Sequence, residues 1–185
     1  MPRRSGFVAA ALAVALPAAR LAAGQVPAPA SVSPYAGEQA RPIKALSPDE
    51  IESYRSGAGM GLAKAAELNH YPGPRHVLDL GAQLGLTEGQ RAAIQGSFER
   101  MQREARALGA SLVDEEAALD AAFASGSITS ADLDARLARI SELQSRIRGA
   151  HLRAHLETRG VLGDEQVRHY DSLRGYATGG DHQGH

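Results

Sequence analysis

The sequence predicts an all-α protein: a long antiparallel helical hairpin with short flanking helices. Three observations predict it. Apolar residues recur at steps of three and four through two long stretches between Leu86 and Leu173, which is the rhythm of one buried helix face and not of a strand. A helix-start phrase opens each stretch, and Gly126-Ser127 separates them. Aromatic residues make up only 4% of the chain and Trp is absent, so the core must be built from Leu, Ile, Val and Ala. A core of that kind is thin, and it favours a homodimer over a self-sufficient monomer.

Taken in order, residues 1–24 have the three parts of a cleavable secretory signal: Arg3 and Arg4, an apolar run from Phe7 to Ala19, then Ala22, Ala23 and Gly24. The run falls short of the roughly 20 apolar residues that span a bilayer, so a permanent anchor is the weaker reading. Arg3-Arg4 and Phe7 are poorly spaced for a twin-arginine signal. Residues 25–46 are rich in Pro and Ala without hydrophobic period and are expected to be a disordered linker. Order is expected from Ser47, where Ser47-Pro48-Asp49-Glu50 supplies a cap, a proline at the first helical position and a glutamate at the third. Gly57, Gly59 and Gly61 end that helix; with no preceding strand and no following Gly-Lys-Ser/Thr they read as a joint, not a phosphate loop. Leu62 to Leu68 makes about two further turns, stopped by the breaker Asn69-His70-Tyr71-Pro72-Gly73-Pro74. Arg75 to Leu84 is one more short helix.

The first long helix opens on Leu86-Thr87-Glu88-Gly89-Gln90, a capping box worth roughly 1 kcal/mol, and runs to about Ala124. Its stripe is Ile94, Phe98, Met101, Ala105, Leu108, Leu112, Leu119 and Ala122 or Phe123, broken at Glu115. Thr129 with Asp132 caps the second, whose stripe is Leu133, Leu137, Ile140, Gln144, Ile147, His151, Ala154 and Val161, with Gly160 as its expected stop. A last helix runs from Gly163 to about Arg174, completing a helical domain over 47–175. Residues 176–185, which include His182 and His185, form a flexible tail.

The candidate chemistry lies in the middle of the hairpin. His151 and His155 are four apart, on one helix face and close enough to share a metal ion through two imidazoles. A hairpin turning near Ser127 pairs positions whose numbers add to about 254, bringing Glu99 level with His155 and Arg103 with His151. The preceding short helix folds back toward the same region with His76. The candidate metal ligands are therefore His76, Glu99, His151 and His155, a nitrogen and oxygen set suited to Zn, Ni, Co or Cu(II). Met101 reads as core. Arg100, Arg103 and Arg106, with Arg139, Arg146 and Arg153, read as a solvated face paired with Glu99, Glu104, Glu142 and Glu157, or else as a surface that holds clients weakly. Several classes are excluded. Without cysteine there is no disulfide, thiolate catalysis or thiolate zinc site. A net charge of −1 gives no bias toward nucleic acid. No nucleophile elbow, His-Glu-x-x-His or cofactor fingerprint appears, so an enzyme is not expected.

Leu86-Thr87-x-x-Gln90, the long helix, the return helix and the second phrase Leu162-x-x-Glu165-Gln166 together resemble the periplasmic Spy/CpxP family with its L-T-x-x-Q motif, and its heavy-metal sensor or resistance branch of the CnrX type. Gly59-Met60-Gly61 and Tyr71-Pro72-Gly73-Pro74-Arg75-His76-Val77-Leu78 are similar to a segment of the metal-sensor branch. The chain departs from the pattern at Gly163, where Thr or Ser is expected. The resemblance implies a periplasmic helical hairpin that dimerises. It implies action as a sensor of metal or envelope stress, or as an ATP-independent chaperone, through an unfolded client or a membrane-bound signalling partner. His151-x-x-x-His155 falls where these relatives carry a ligand pair, and His76 and Glu99 fall near their upstream ligands.

Overall fold

The computed structural model describes residues 32–176; the expected signal over 1–24, the linker over 25–31 and the tail from 177 lie outside the described residues. The chain divides into two units, Met1–Ala36 and Gly37–His185. In the first, the Ala36 N–H donates to the Ser33 carbonyl at 3.0 Å, closing one turn. The second opens on a 3-10 turn (Glu38–Ala40), followed by α1 (Pro48–Ser56), α2 (Lys64–Glu67), α3 (Pro74–Asp79), α4 (Glu88–Ala124), α5 (Ser130–Val161) and α6 (Asp164–Arg174). Among the described residues there is no strand, and no helix is long and apolar enough to cross a membrane. The all-α hairpin with short flanking helices is the observed architecture.

Each cap does what its residues predict. Ser47 accepts the Glu50 N–H at 3.2 Å while Glu50 accepts the Ser47 N–H at 2.8 Å. Thr87 and Gln90 repeat the exchange at 3.2 and 3.1 Å, and so do Thr129 and Asp132. The α4–α5 register follows from the turn: Ser97 donates to Glu157 at 2.5 Å, and Glu115 stands 3.9 Å from Arg139, both pairs adding to 254. Glu115 interrupts its stripe because it is a cross-hairpin partner of Arg136 and Arg139. The arginine face is ion-paired as well, Arg153 to Glu104 at 3.0 Å and Arg100 to Glu157 at 2.8 Å.

The two glutamine phrases meet. Gln90 Nε2 donates to Gln166 Oε1 at 2.9 Å and Gln166 Nε2 to Gln90 Oε1 at 3.1 Å; the same amides reach the carbonyls of Val161 and Leu84 at 3.0 and 3.2 Å. Gln166 also accepts the Gly163 N–H at 3.0 Å, so glycine loses only the side-chain half of the cap. The phrases thus fasten the open end of the hairpin, which periodicity alone does not reveal.

Among the described residues, three small apolar clusters make the core: Val77, Leu84, Ile94, Leu162, Val167 and Tyr170 at the open end, Leu108, Leu112, Ile140, Leu143 and Ile147 in the middle, and Ile43, Leu46 and Val113 beyond. The third cluster moves the start of the packed domain back from Ser47 to Ile43: Ile43 and Leu46 bury against α4, and Lys44 pairs with Asp120 at 2.9 Å. α5 also continues through Gly160 to Val161, because one helical glycine costs only about 1 kcal/mol. α3 ends at Asp79, short of Leu84, and α2 covers only the middle of the expected Leu62–Leu68 segment. Phe123 and Leu137, placed on the seam by the pattern, are 57% and 45% exposed where the hairpin nears its turn.

Candidate metal site between the short helices and the hairpin

α5 presents His151 and His155 inward, and both are buried. Across from them the breaker after α2 folds the chain back, and α3 brings in His76. His76, His151 and His155 together line two adjoining cavities, of about 440 and 360 Å³. The first also exposes Phe98 and Met101 of α4 and the Gly57–Gly59 joint; the second exposes Met60, Lys64, Glu67 and Arg174.

The ring atoms define the chemistry. His155 Nδ1 lies 2.7 Å from the Tyr71 carbonyl; a carbonyl only accepts, so Nδ1 carries a proton, and in the neutral ring Nε2 is the nitrogen that holds the lone pair. A backbone carbonyl in this role is the usual outer support of a metal-binding imidazole. His151 Nε2 is fully buried with no hydrogen-bond partner. Among the described residues it shares this state with Asp171 Oδ1 and Arg174 Nε, and of the three it is the imidazole nitrogen that can serve as a metal donor. Gly73 adds a cradle: a Cβ there would stand 3.1 and 3.2 Å from His155 Cε1 and Nε2, so glycine keeps open the space that any side chain would fill.

Burial, with His155 alongside, holds His151 below the ordinary imidazole value of 6.5. Burial also lowers His76, helped by Arg174 and opposed by Glu67 and Asp79. Both rings are thus kept neutral, the state that donates a lone pair to a metal. The linkage to stability follows. The unfolded chain takes up these protons before the folded one does, so stability rises with pH across this window; the contribution is complete above about 6.5 and is lost as pH falls from there through the lower folded values. For His151→Leu, which removes the orphaned nitrogen, the drop in melting temperature between about pH 7.5 and about pH 5.5 should be smaller than in the wild type. An equal drop would assign the acid sensitivity to other groups.

Glu99 does not join the site. Its carboxylate accepts from Gln95 Nε2 at 2.8 Å and faces Arg103 at 3.9 Å, on the outer surface of α4. The reason is angular: each residue turns the helix by about 100°, and α4 faces the cavity with Phe98, Met101, Gln102 and Arg106. The carboxylate beside the histidines is Glu67. It lies 3.7 Å from His155 Nδ1, accepts the Tyr170 hydroxyl at 2.5 Å and the Gly73 N–H at 3.0 Å, and stands 3.6 Å from Arg174 Nε. Burial, with this bond to Glu67, raises the Tyr170 hydroxyl far above the usual phenol range, keeping it a donor. Close by, His70 pairs with buried Asp171 at 2.7 Å. None of these partners is in periodic register with the hairpin; the one sequence signal for them is the breaker Asn69–Pro74, which must return the chain to its start.

The residues fit a transition metal in their paired imidazoles, in the Nδ1–H tautomer of His155 and in their glycine cradle. They supply no complete ligand set of the usual kind: among the described residues, no three His, Cys, Asp or Glu side chains stand close enough to hold one ion. The sequence profile of the heavy-metal resistance family matches residues 57–169, a span that contains the joint, all three histidines and both long helices. No curated protein and no solved structure matches the chain.

Proposed function

Because the chain belongs to the heavy-metal resistance family, we propose that it takes up a transition-metal ion on the imidazoles of His151 and His155, with His76 at the rim of the same cavities, and signals its occupancy to a protein partner. The observation that carries this reading is the buried, unpartnered Nε2 of His151 beside a His155 whose Nδ1 is committed to the Tyr71 carbonyl. A bound ion would supply a positive centre that satisfies both lone pairs; the chain supplies neutral rings, a shielded pocket and the Glu67 network behind His155. Export through the 1–24 segment, action in the periplasm and pairing of two copies belong to the same proposal.

The second reading is a hairpin that binds partners or unfolded clients through apolar surface with no metal, and the exposure of Phe123 and Leu137 near the turn favours it. Calorimetric titration of the mature protein with zinc, beside His151→Ala/His155→Ala, separates the two. The metal reading expects affinity to fall by at least about 100-fold in the double variant. Equal affinity would leave the second reading standing.

A further inference from the structure

The donor set around the two histidines is incomplete in nitrogen and oxygen, and a thioether lines the same cavity. Met60 lines the 360 Å³ cavity together with His76, His151 and His155. Its backbone is unusual: Met60 and Gly61 have φ of 46° and 74°, and the Leu62 N–H closes the turn onto the Gly59 carbonyl at 2.7 Å. Two positive φ angles at the centre of such a turn favour Gly, Asn or Asp, and an unbranched thioether residue at the first of them is strained. Strain of this kind at the rim of a cavity is a pointer to function. The side chain is also not committed to the core, since Met60 is 41% exposed.

Charge points the same way. Lys64, Arg75, Arg106 and Arg174 line the two cavities, whereas the acidic residue lining them, Glu67, already serves Tyr170, Gly73 and Arg174. The repulsion from those cations scales with the charge of the ion, so a monovalent ion meets half of what a divalent ion meets at the same place. Imidazole and thioether are neutral donors, and thioether sulfur selects soft d10 ions such as Cu(I). Such ions are content with two or three ligands, which removes the need for a three-residue His, Asp or Glu cluster.

We propose that the site binds a soft monovalent cation, Cu(I) or its analogue Ag(I), between His151 and His155, with the thioether of Met60 as the third donor. This rests on the metal reading above and specifies the class of ion. The test is titration of the full mature chain with silver nitrate in chloride-free buffer, alongside zinc, for the wild type, Met60→Leu, Met101→Leu and His151→Ala/His155→Ala. The expected result is a wild-type preference for Ag(I), Ag(I) affinity lowered by at least about tenfold in Met60→Leu, zinc affinity unchanged in that variant, and Met101→Leu like the wild type. Unchanged Ag(I) affinity in Met60→Leu, or a loss in Met101→Leu instead, overturns the role of Met60 while leaving the histidine reading intact. Wild-type affinity for both ions in the histidine double variant overturns the histidine reading itself. Circular dichroism melts of each variant distinguish lost binding from lost folding.

Discussion

Gly109→Ala is expected to destabilise the protein by about 3 kcal/mol, the upper range for overpacking a close contact. Gly109 is buried in the middle of α4, where the last turn of α1 crosses it; an added methyl group would overlap the Tyr54 carbonyl oxygen and stand 2.7 Å from its carbon. The obstacle is backbone on both sides, and no side chain can swing away to relieve it. α1 must lift, and Ile51 and Tyr54 lose their packing in the outer cluster with Ile43, Leu46 and Val113. Elsewhere in an exposed helix the same substitution would gain up to about 1 kcal/mol in helix propensity, so the sign of the effect is informative. Thermal or urea melts of Gly109→Ala check it, and a stabilised variant would mean that α1 does not dock as described.

Glu67→Ala is expected to cost a similar amount, about 3 kcal/mol, for a different reason. The carboxylate is the common acceptor for the fully buried Tyr170 hydroxyl, the Gly73 N–H and, more distantly, Arg174. Removing it strands the buried Tyr170 hydroxyl and the Gly73 N–H together, and each buried donor left unpaired costs about 1–3 kcal/mol, whereas Arg174 keeps its bond to Tyr176. Tyr170→Phe deletes only the donor and should cost about 1 kcal/mol. Urea melts of the two variants and their double mutant check this: because both remove the same bond, the double mutant should be no less stable than Glu67→Ala alone. Full additivity would show that the two groups act independently.

The hairpin was legible because helices write themselves locally. Thr87 with Gln90 and Thr129 with Asp132 declare where the chain starts to coil, and the stripe through Ile94, Leu108 and Leu112 declares which side is buried. The 254 register followed from the short turn alone. Of the residues lining the candidate site, His151 and His155 on α5 and His76 on α3 were legible in the sequence. Glu99 was misplaced because level along a hairpin is a weaker condition than facing inward, and one position of helix is about 100° of rotation. Glu67, Tyr170 and Arg174 were missed because their convergence is made by the Asn69–Pro74 loop, whose path depends on tertiary contacts such as His70 with Asp171 and His155 with the Tyr71 carbonyl. The packed start at Ile43 was missed because a Pro- and Ala-rich composition hides two well-placed apolar side chains.

The proposed binding of a metal through the ring nitrogens of His151 and His155 is open to X-ray absorption at the zinc edge, on the mature protein loaded with a single equivalent. Scattering from two or more imidazoles, lost in His151→Ala/His155→Ala, is the predicted result; a shell of oxygen alone, or an imidazole signal that survives the double substitution, would contradict it.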